Sequence, residues 1–249
     1  MTIRKAGFAI LASLLAAPVH GAEINVLSAG AVEPGLHAAV EAFRKATGDE
    51  VKVRFATAPA LRQKVGSGES ADVLIAPPAV IEELAKTGKV DAQMRVPVGR
   101  VGVGVAVRQG AAVPDVSSPE ALKSAVLDAE SIVYNQASTG NYVHGLLQRL
   151  GIADQIAEKT KRYPDGDAVM AHLIKGSGKE VGFGAITEIM LNTDKGLRFV
   201  GPLPGGIQNY TTYAAAPLAS ATNPGGGKKF IDYLSSAEAK KIFAAKGIE

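Results

Sequence analysis

Short β-branched runs alternate with amphipathic helical segments along almost the whole chain, and this alternation fixes the fold class before anything else. Ile24–Leu27, Val51–Phe55 and Val73–Ala76 read as strands. Between the first two, Leu36, Ala39, Val40 and Phe43 recur at helical spacing, and the segment stops near Gly48. A helix from about Pro59 to Ser67 turns Leu61 and Val65 inward. Pro78 opens another, carrying Ile81, Leu84 and Ala85 and closed by Gly88, with proline at the start and glycine at the end. The pattern predicts βαβ units around a mostly parallel sheet.

From about Arg95 the pattern becomes one long extended stretch, Val96, Val98, Val101, Val103, Val105 and Val107 with glycines between, long enough to cross from one lobe to another. A second α/β series follows. It comprises a helix from Pro119 behind Ser117 and Ser118, a strand Ile132–Tyr134, a helix from about Thr139 to Leu150, a helix near Ala168–Lys175 and a strand Val181–Ala185. Leu197–Val200 and Tyr210–Ala215 are further extended segments, joined by the Gly/Pro-rich stretch 201–206, a second crossing candidate. Helices from Asn223-Pro224 through Leu234 and over Ala237–Ala245 close the chain, the last ending at Gly247. The expected architecture is α/β with two lobes, residues 22–104 plus 207–249 and residues 105–206. Each lobe is a mixed sheet flanked by helices, and two crossing strands join them. The cleft between is lined by the carboxyl ends of strands and the amino ends of helices.

Residues 1–21 stand apart. Arg4 and Lys5 precede the apolar run Ala6–Ala17, then come Pro18, Val19 and Gly21, the three parts of a secretory signal. Cleavage after Gly21 takes 21 of 249 residues and leaves 228; losing Arg4 and Lys5 lowers the formal charge from +3 to +1. The sequence pI near 9.0 therefore gives no support for a nucleic-acid or membrane-surface role. The chain has no Cys, which excludes a disulfide scaffold and thiol chemistry. No Trp, 6 Tyr and 7 Phe leave little for base stacking. An exported, cysteine-free chain of this size points to a periplasm-like compartment.

The opening EINVLSAGAVEPGLHAAVEAFRKATGDEVKVRFATAPALRQKVGSGESADVLIAPP, the ordered set ESADVLIA, QRLGIAD and VGFGAITE, and the ending GGKKFIDYLSSAEAKKIFAAKGIE resemble the molybdate-type periplasmic substrate-binding proteins. The resemblance implies a type II periplasmic binding-protein fold that closes on a small anion. In those relatives hydroxyls and backbone N–H groups at helix amino ends hold the oxyanion, and the attraction of such ends for anions is sound chemistry in its own right. Carried over position by position, the contacts are Ser28, Gly30 and Ala31; Thr57 and Ala58; Ser138, Thr139, Gly140, Asn141 and Tyr142; Gly166 and Asp167; and Ala185. Molybdate binders have serine where this chain has Ala31, a serine near Thr57–Ala58, and tyrosine in place of Ala185. Each lost hydroxyl donor costs about 0.5–1.5 kcal/mol, which argues against molybdate as the ligand. A branch of the family with a similar ASTGNY loop is associated with aconitate isomerase activity.

Each residue also has a plainer reading. Ser138 suits a simple helix cap. Arg62, in the first turn after Thr57, either reaches an anion in the cleft or is a solvated surface residue. Tyr142 and His144 lie roughly 200° apart around a helix, so they cannot share a face. His37, His144 and His172 lack ligand spacing, so no protein-held metal and no cofactor is expected. Neither GxxxxGK[ST] nor GxSxG occurs, which removes nucleotide hydrolysis and a nucleophile elbow. A non-transport accessory that senses or stores anions has no feature of its own here, and two functions lead. One is a monomeric periplasmic receptor that delivers a small anionic ligand, oxyanion or carboxylate, to an ABC transporter permease. The other is an isomerase interconverting cis- and trans-aconitate by proton transfer. Its base is not fixed by the sequence, and Tyr142, Asp165, Asp167, Glu188 and Tyr210 are the candidates.

Overall fold

The structure, a computed structural model, describes residues 23–249; the leader expected over residues 1–21 lies outside them. β1 (Glu23–Ala29) pairs in parallel with β2 (Glu50–Ala56) on one side and β3 (Val73–Ala76) on the other. Each of the three strands runs into a helix: α1 (Glu33–Thr47), entered through the 3-10 turn Gly30–Val32, then α2 (Ala58–Gly66) and α3 (Pro78–Lys86). All three helices carry proline in their first turn, where its missing N–H costs nothing, and α1 stops where Gly48 takes the left-handed conformation.

β4 (Val96–Arg108) leads through α4 (Pro119–Asp128) into the second series, which comprises β5 (Ser131–Asn135), α5 (Ser138–Arg149), β6 (Thr160–Tyr163), α6 (Gly166–Lys175), β7 (Glu180–Ala185) and α7 (Ile186–Met190). β8 (Leu197–Pro202), β9 (Tyr210–Pro217), α8 (Pro224–Leu234) and α9 (Ala237–Ala245) complete the described chain. β5 pairs in parallel with both β6 and β7. Among the described residues three core regions follow from these layers. Phe43, Phe230 and Phe243 fill the space under α1, α8 and α9, with the Phe43 and Phe230 rings edge to face at 5.1 Å. Tyr134, Phe183, Val105 and Leu146 fill the second, and Val133, Val169, Met170, Leu173 and Ile189 the third. α1 and α9 approach closely at Gly35, where any side chain would run into Phe243 and Ile248.

The sheet differs from the expectation of two sheets joined by two crossing strands. Among the described residues the nine strands form one hydrogen-bonded sheet, ordered β2-β1-β3-β9-β4-β7-β5-β6, with β8 also on β4. The reason is that β4 never breaks between its two sets of partners. Its first half pairs antiparallel with β9, and from Val103 onward it pairs with β7 and β8. At the changeover the Gln208 side chain brackets Val103, accepting from its N–H and donating to its carbonyl, both at 3.0 Å. Two elements carried no usable sequence signal. β6 is the edge strand TKRY, without an apolar run, and α7 directly continues the apolar VGFGA of β7.

Candidate functional site

Parallel strands followed by helices place their carboxyl ends and the next helix's amino end at the same level, and here two such sets face one another. A cavity of about 140 Å³ lies between them. Its wall takes Ala29, Gly30, Ala31 and Glu33 from the end of β1 and the turn into α1, and Phe55 to Ala58 from the junction of β2 and α2. Across the cavity lie Asn135 to Thr139, apart from Gln136, from the β5–α5 turn, Asp165 to Asp167 from the β6–α6 turn, and Glu188, Leu191 and Asn192 from α7 and its end. Tyr213 of β9 closes one side.

The helix starts present unpaired donors. Ser138 is the first residue of α5, behind an Ala137 cap, so its hydroxyl does not cap the helix as the plain reading supposed. The Thr57 hydroxyl likewise makes no capping bond to α2. At α5 the third amide is already used: Gly140 N–H donates to Asn135 Oδ1 at 3.0 Å, as does Ala137 N–H. The N–H groups of Ser138 and Thr139 are the ones left for a ligand, since the first amides of a helix have no partner within it. At α6 the Asp165 carboxylate accepts from Ala168 N–H at 2.9 Å, leaving the earlier amides of Gly166 and Asp167.

Of the residues singled out from sequence, Gly30, Ala31, Thr57, Ala58, Ser138, Thr139, Asp165, Gly166, Asp167 and Glu188 are in the wall. Others are elsewhere. Ser28 is fully buried, its hydroxyl donating to the Ala29 carbonyl at 3.2 Å. Arg62 is exposed and pairs with Glu83 at 3.4 Å, because the helical turn carries it away from the cavity. Asn141 Oδ1 accepts from Arg162 at 2.8 Å, and the Tyr142 hydroxyl donates to the Ile207 carbonyl at 2.7 Å. Ala185 is buried at the start of α7. Tyr210 is 41% exposed, with the Arg100 guanidinium over its ring at 4.3 Å.

Glu188 has the most unusual surroundings. Its Oε2 is buried without a hydrogen-bond partner, and the carboxyl lies against Gly166, where a Cβ would collide with it. Burial pushes its carboxyl up to about 7, opposed by a hydrogen bond from the Ala185 backbone and reinforced by Asp167, Asp165 and Glu33. Tyr213, 4% exposed, is driven above the usual phenol range by burial and by Glu188, so its hydroxyl stays protonated. Sequence reasoning missed Tyr213, Asn135 and Glu33. The strand alternation of β9 places Tyr213 on the inward face, but nothing local says that this face meets a cavity. Among the described residues no Lys, Arg or His lines the wall. Among the described residues no group of three or more His, Cys, Asp or Glu is arranged to hold a metal ion, and no helix is long and apolar enough to cross a membrane.

Residues 24–249 match the family described as bacterial extracellular solute-binding protein. An aconitate isomerase from Pseudomonas sp. is 30% identical over an alignment of 254 residues, covering 98% of this chain and 94% of that protein. Among solved structures, the periplasmic molybdate-binding protein of Azotobacter vinelandii superposes with a TM-score of 0.75 at 17% identity, covering 91% of this chain and 98% of the other. A sulfate-binding protein from Mycobacterium tuberculosis gives 0.73 at 20% identity, with 91% and 86% covered.

Proposed function

The chain belongs to the bacterial extracellular solute-binding protein family, and on that premise we propose that it is an exported receptor whose cleft closes on a small carboxylate-bearing anion of the aconitate class. The observation that carries this reading is the convergence of strand ends and helix starts on one cavity whose wall, among the described residues, holds no cationic side chain. Unpaired N–H groups at helix starts bear partial positive charge, each such end favouring an anion by about 0.3–1 kcal/mol when exposed and up to about 2 when enclosed. Ala31 and Ala185 supply no hydroxyl. Thr57, Ser138, Thr139 and Tyr213 do, at separate points of the wall suited to the several oxygens of a polycarboxylate. In this reading residues 22–104 plus 207–249 and residues 105–206 move as two lobes, bending where Gln208 brackets Val103. The protein works as a monomer in the periplasm and passes its ligand to an ABC-type permease.

The testing experiment is a thermal-shift and calorimetry panel of molybdate, sulfate, citrate and the two aconitate isomers. Aconitate or citrate should stabilise the fold, with molybdate at least about tenfold weaker than a dedicated receptor would bind it. Nanomolar molybdate binding without carboxylate binding overturns the reading.

A second reading is favoured by Glu188, a buried carboxyl in the cavity wall held near neutral pH, where a general base works best. Interconverting the aconitate isomers needs only a proton shift. The base takes a proton from the methylene carbon, the double bond moves one position along the chain, and the same proton returns to the former vinyl carbon. Glu188 can take and return that proton with no other reactant. The name of the 30% identical relative supports the same chemistry. Ultraviolet monitoring of purified protein with each isomer tests it: turnover that vanishes in Glu188→Gln supports the isomerase, and absence of turnover leaves the receptor.

A further inference from the structure

Among the described residues four carboxyl groups and no cation surround a cavity read as an anion site, and that contradiction needs a resolution. Three of the four have a polar partner or water beside them. Glu33 lies 3.4 Å from His37, Asp165 accepts from Ala168 N–H, and Asp167 is exposed to water. Glu188 has one backbone donor, the Ala185 amide, and lies away from water. Its Oε2 is buried and unpartnered, and its carboxyl is wedged beside Gly166 with Gly30 close by. The charged and titratable groups that face it are Glu33 from α1, Asp165 and Asp167 from the start of α6, and Tyr213 from β9, with the Ala185 amide its only backbone donor. Tyr213 stays a neutral phenol, so nothing facing Glu188 can balance a second negative charge.

We propose that the cavity takes its anion together with a proton, so that in the complex Glu188 is a neutral carboxylic acid whose O–H donates to the bound anion. The inference rests on the anion-site reading and deepens it: the proton is the missing counter-charge, and Glu188 becomes a specificity-determining donor. A ligand must then offer an oxygen acceptor at the Gly30–Gly166 side of the cavity, and ammonium or guanidinium compounds are excluded there. In the free protein Glu188 titrates near neutral pH; a bound anion raises that value further, so binding above neutrality must draw a proton from solvent. If the protein also turns its ligand over, the same proton must leave before Glu188 can act as a base, so kcat rises with pH while affinity falls.

The experiment is calorimetry of the mature protein with trans-aconitate and, separately, with sulfate, which does not titrate near neutral pH. Measurements run from pH 6 to 8.5 in pairs of buffers with different ionisation enthalpies. Wild-type Kd should weaken by about tenfold per pH unit above pH 7, with close to one proton drawn from the buffer per anion bound. Glu188→Gln keeps a donor in the same place and should bind with pH-independent affinity and no proton uptake, which also subtracts any titration of the ligand itself. Wild-type binding that is pH-independent and takes up no proton overturns this inference and leaves the anion site standing. Failure of both anions to bind at every pH overturns the anion site and the inference together.

Discussion

Asn135, at the end of β5, shows how one side chain prepares the cavity wall. It is 3% exposed, and its Oδ1 accepts from both Ala137 N–H and Gly140 N–H. With those two amides tied, the next free donors are Ser138 and Thr139, which face the cavity. Gly140 is required beside it, since a Cβ there would overlap the Asn135 carbonyl. Asn135→Ala should leave the buried Gly140 amide and the half-buried Ala137 amide unpaired and lower stability by about 1–3 kcal/mol in urea unfolding, with weaker ligand binding. Glu188 makes the opposite contribution. Its carboxyl titrates higher in the folded chain, near 7, than in the unfolded one, so the folded state holds more protons between about pH 4.5 and 7 and stability falls as pH rises through that window. Glu188→Gln should therefore match wild type at pH 5 and exceed it at pH 8 by up to about 3 kcal/mol, measured by urea unfolding at both values.

At the scale of elements, the helix starts were legible and the short connecting pieces were not. The proline of α2 and of α3, the Ser118 cap of α4 and the Asn223 cap of α8 are local signals, and each marks a helix within a residue or two of where it begins. α7 has no such mark. It is five residues long and capped by no side chain, and it is held in place from far away: Thr187 Oγ1 donates to the Ala31 carbonyl at 2.6 Å, 156 residues distant in the chain. That bond ties the helix bearing Glu188 to the turn before α1. Thr187→Val keeps the shape and removes this donor to the Ala31 carbonyl. The expected cost is about 1–3 kcal/mol of stability and about tenfold in ligand affinity, read by urea unfolding and calorimetry.

For the whole molecule, a ligand that binds only the folded state stabilises it by mass action. At one hundred times its Kd the gain is about 2.7 kcal/mol, which for a chain of this size raises Tm by roughly 5–10 °C. Scanning calorimetry with saturating trans-aconitate should show such a shift, and molybdate at the same concentration a smaller one. Hydrophobic period and proline and glycine placement were enough to establish the α/β class, because each records a preference of a few neighbouring residues for one backbone conformation or one buried face; the solute-binding family came from the resemblance of three ordered motifs and is shown by the family match. The turns after β1, β2 and β5 and the pair Gly166 and Asp167 were named as candidate contacts through the family resemblance. Sequence could not say that β4 would carry one unbroken sheet, that Arg62 would swing to Glu83, or that Tyr213 would reach the wall. Nor could it raise Glu188 above four other candidates for the base. A side chain's direction depends on where its element is docked, and its acidity depends on how much water and which charges surround it. Those are properties of groups brought together from distant parts of the chain, so only the tertiary structure decides them.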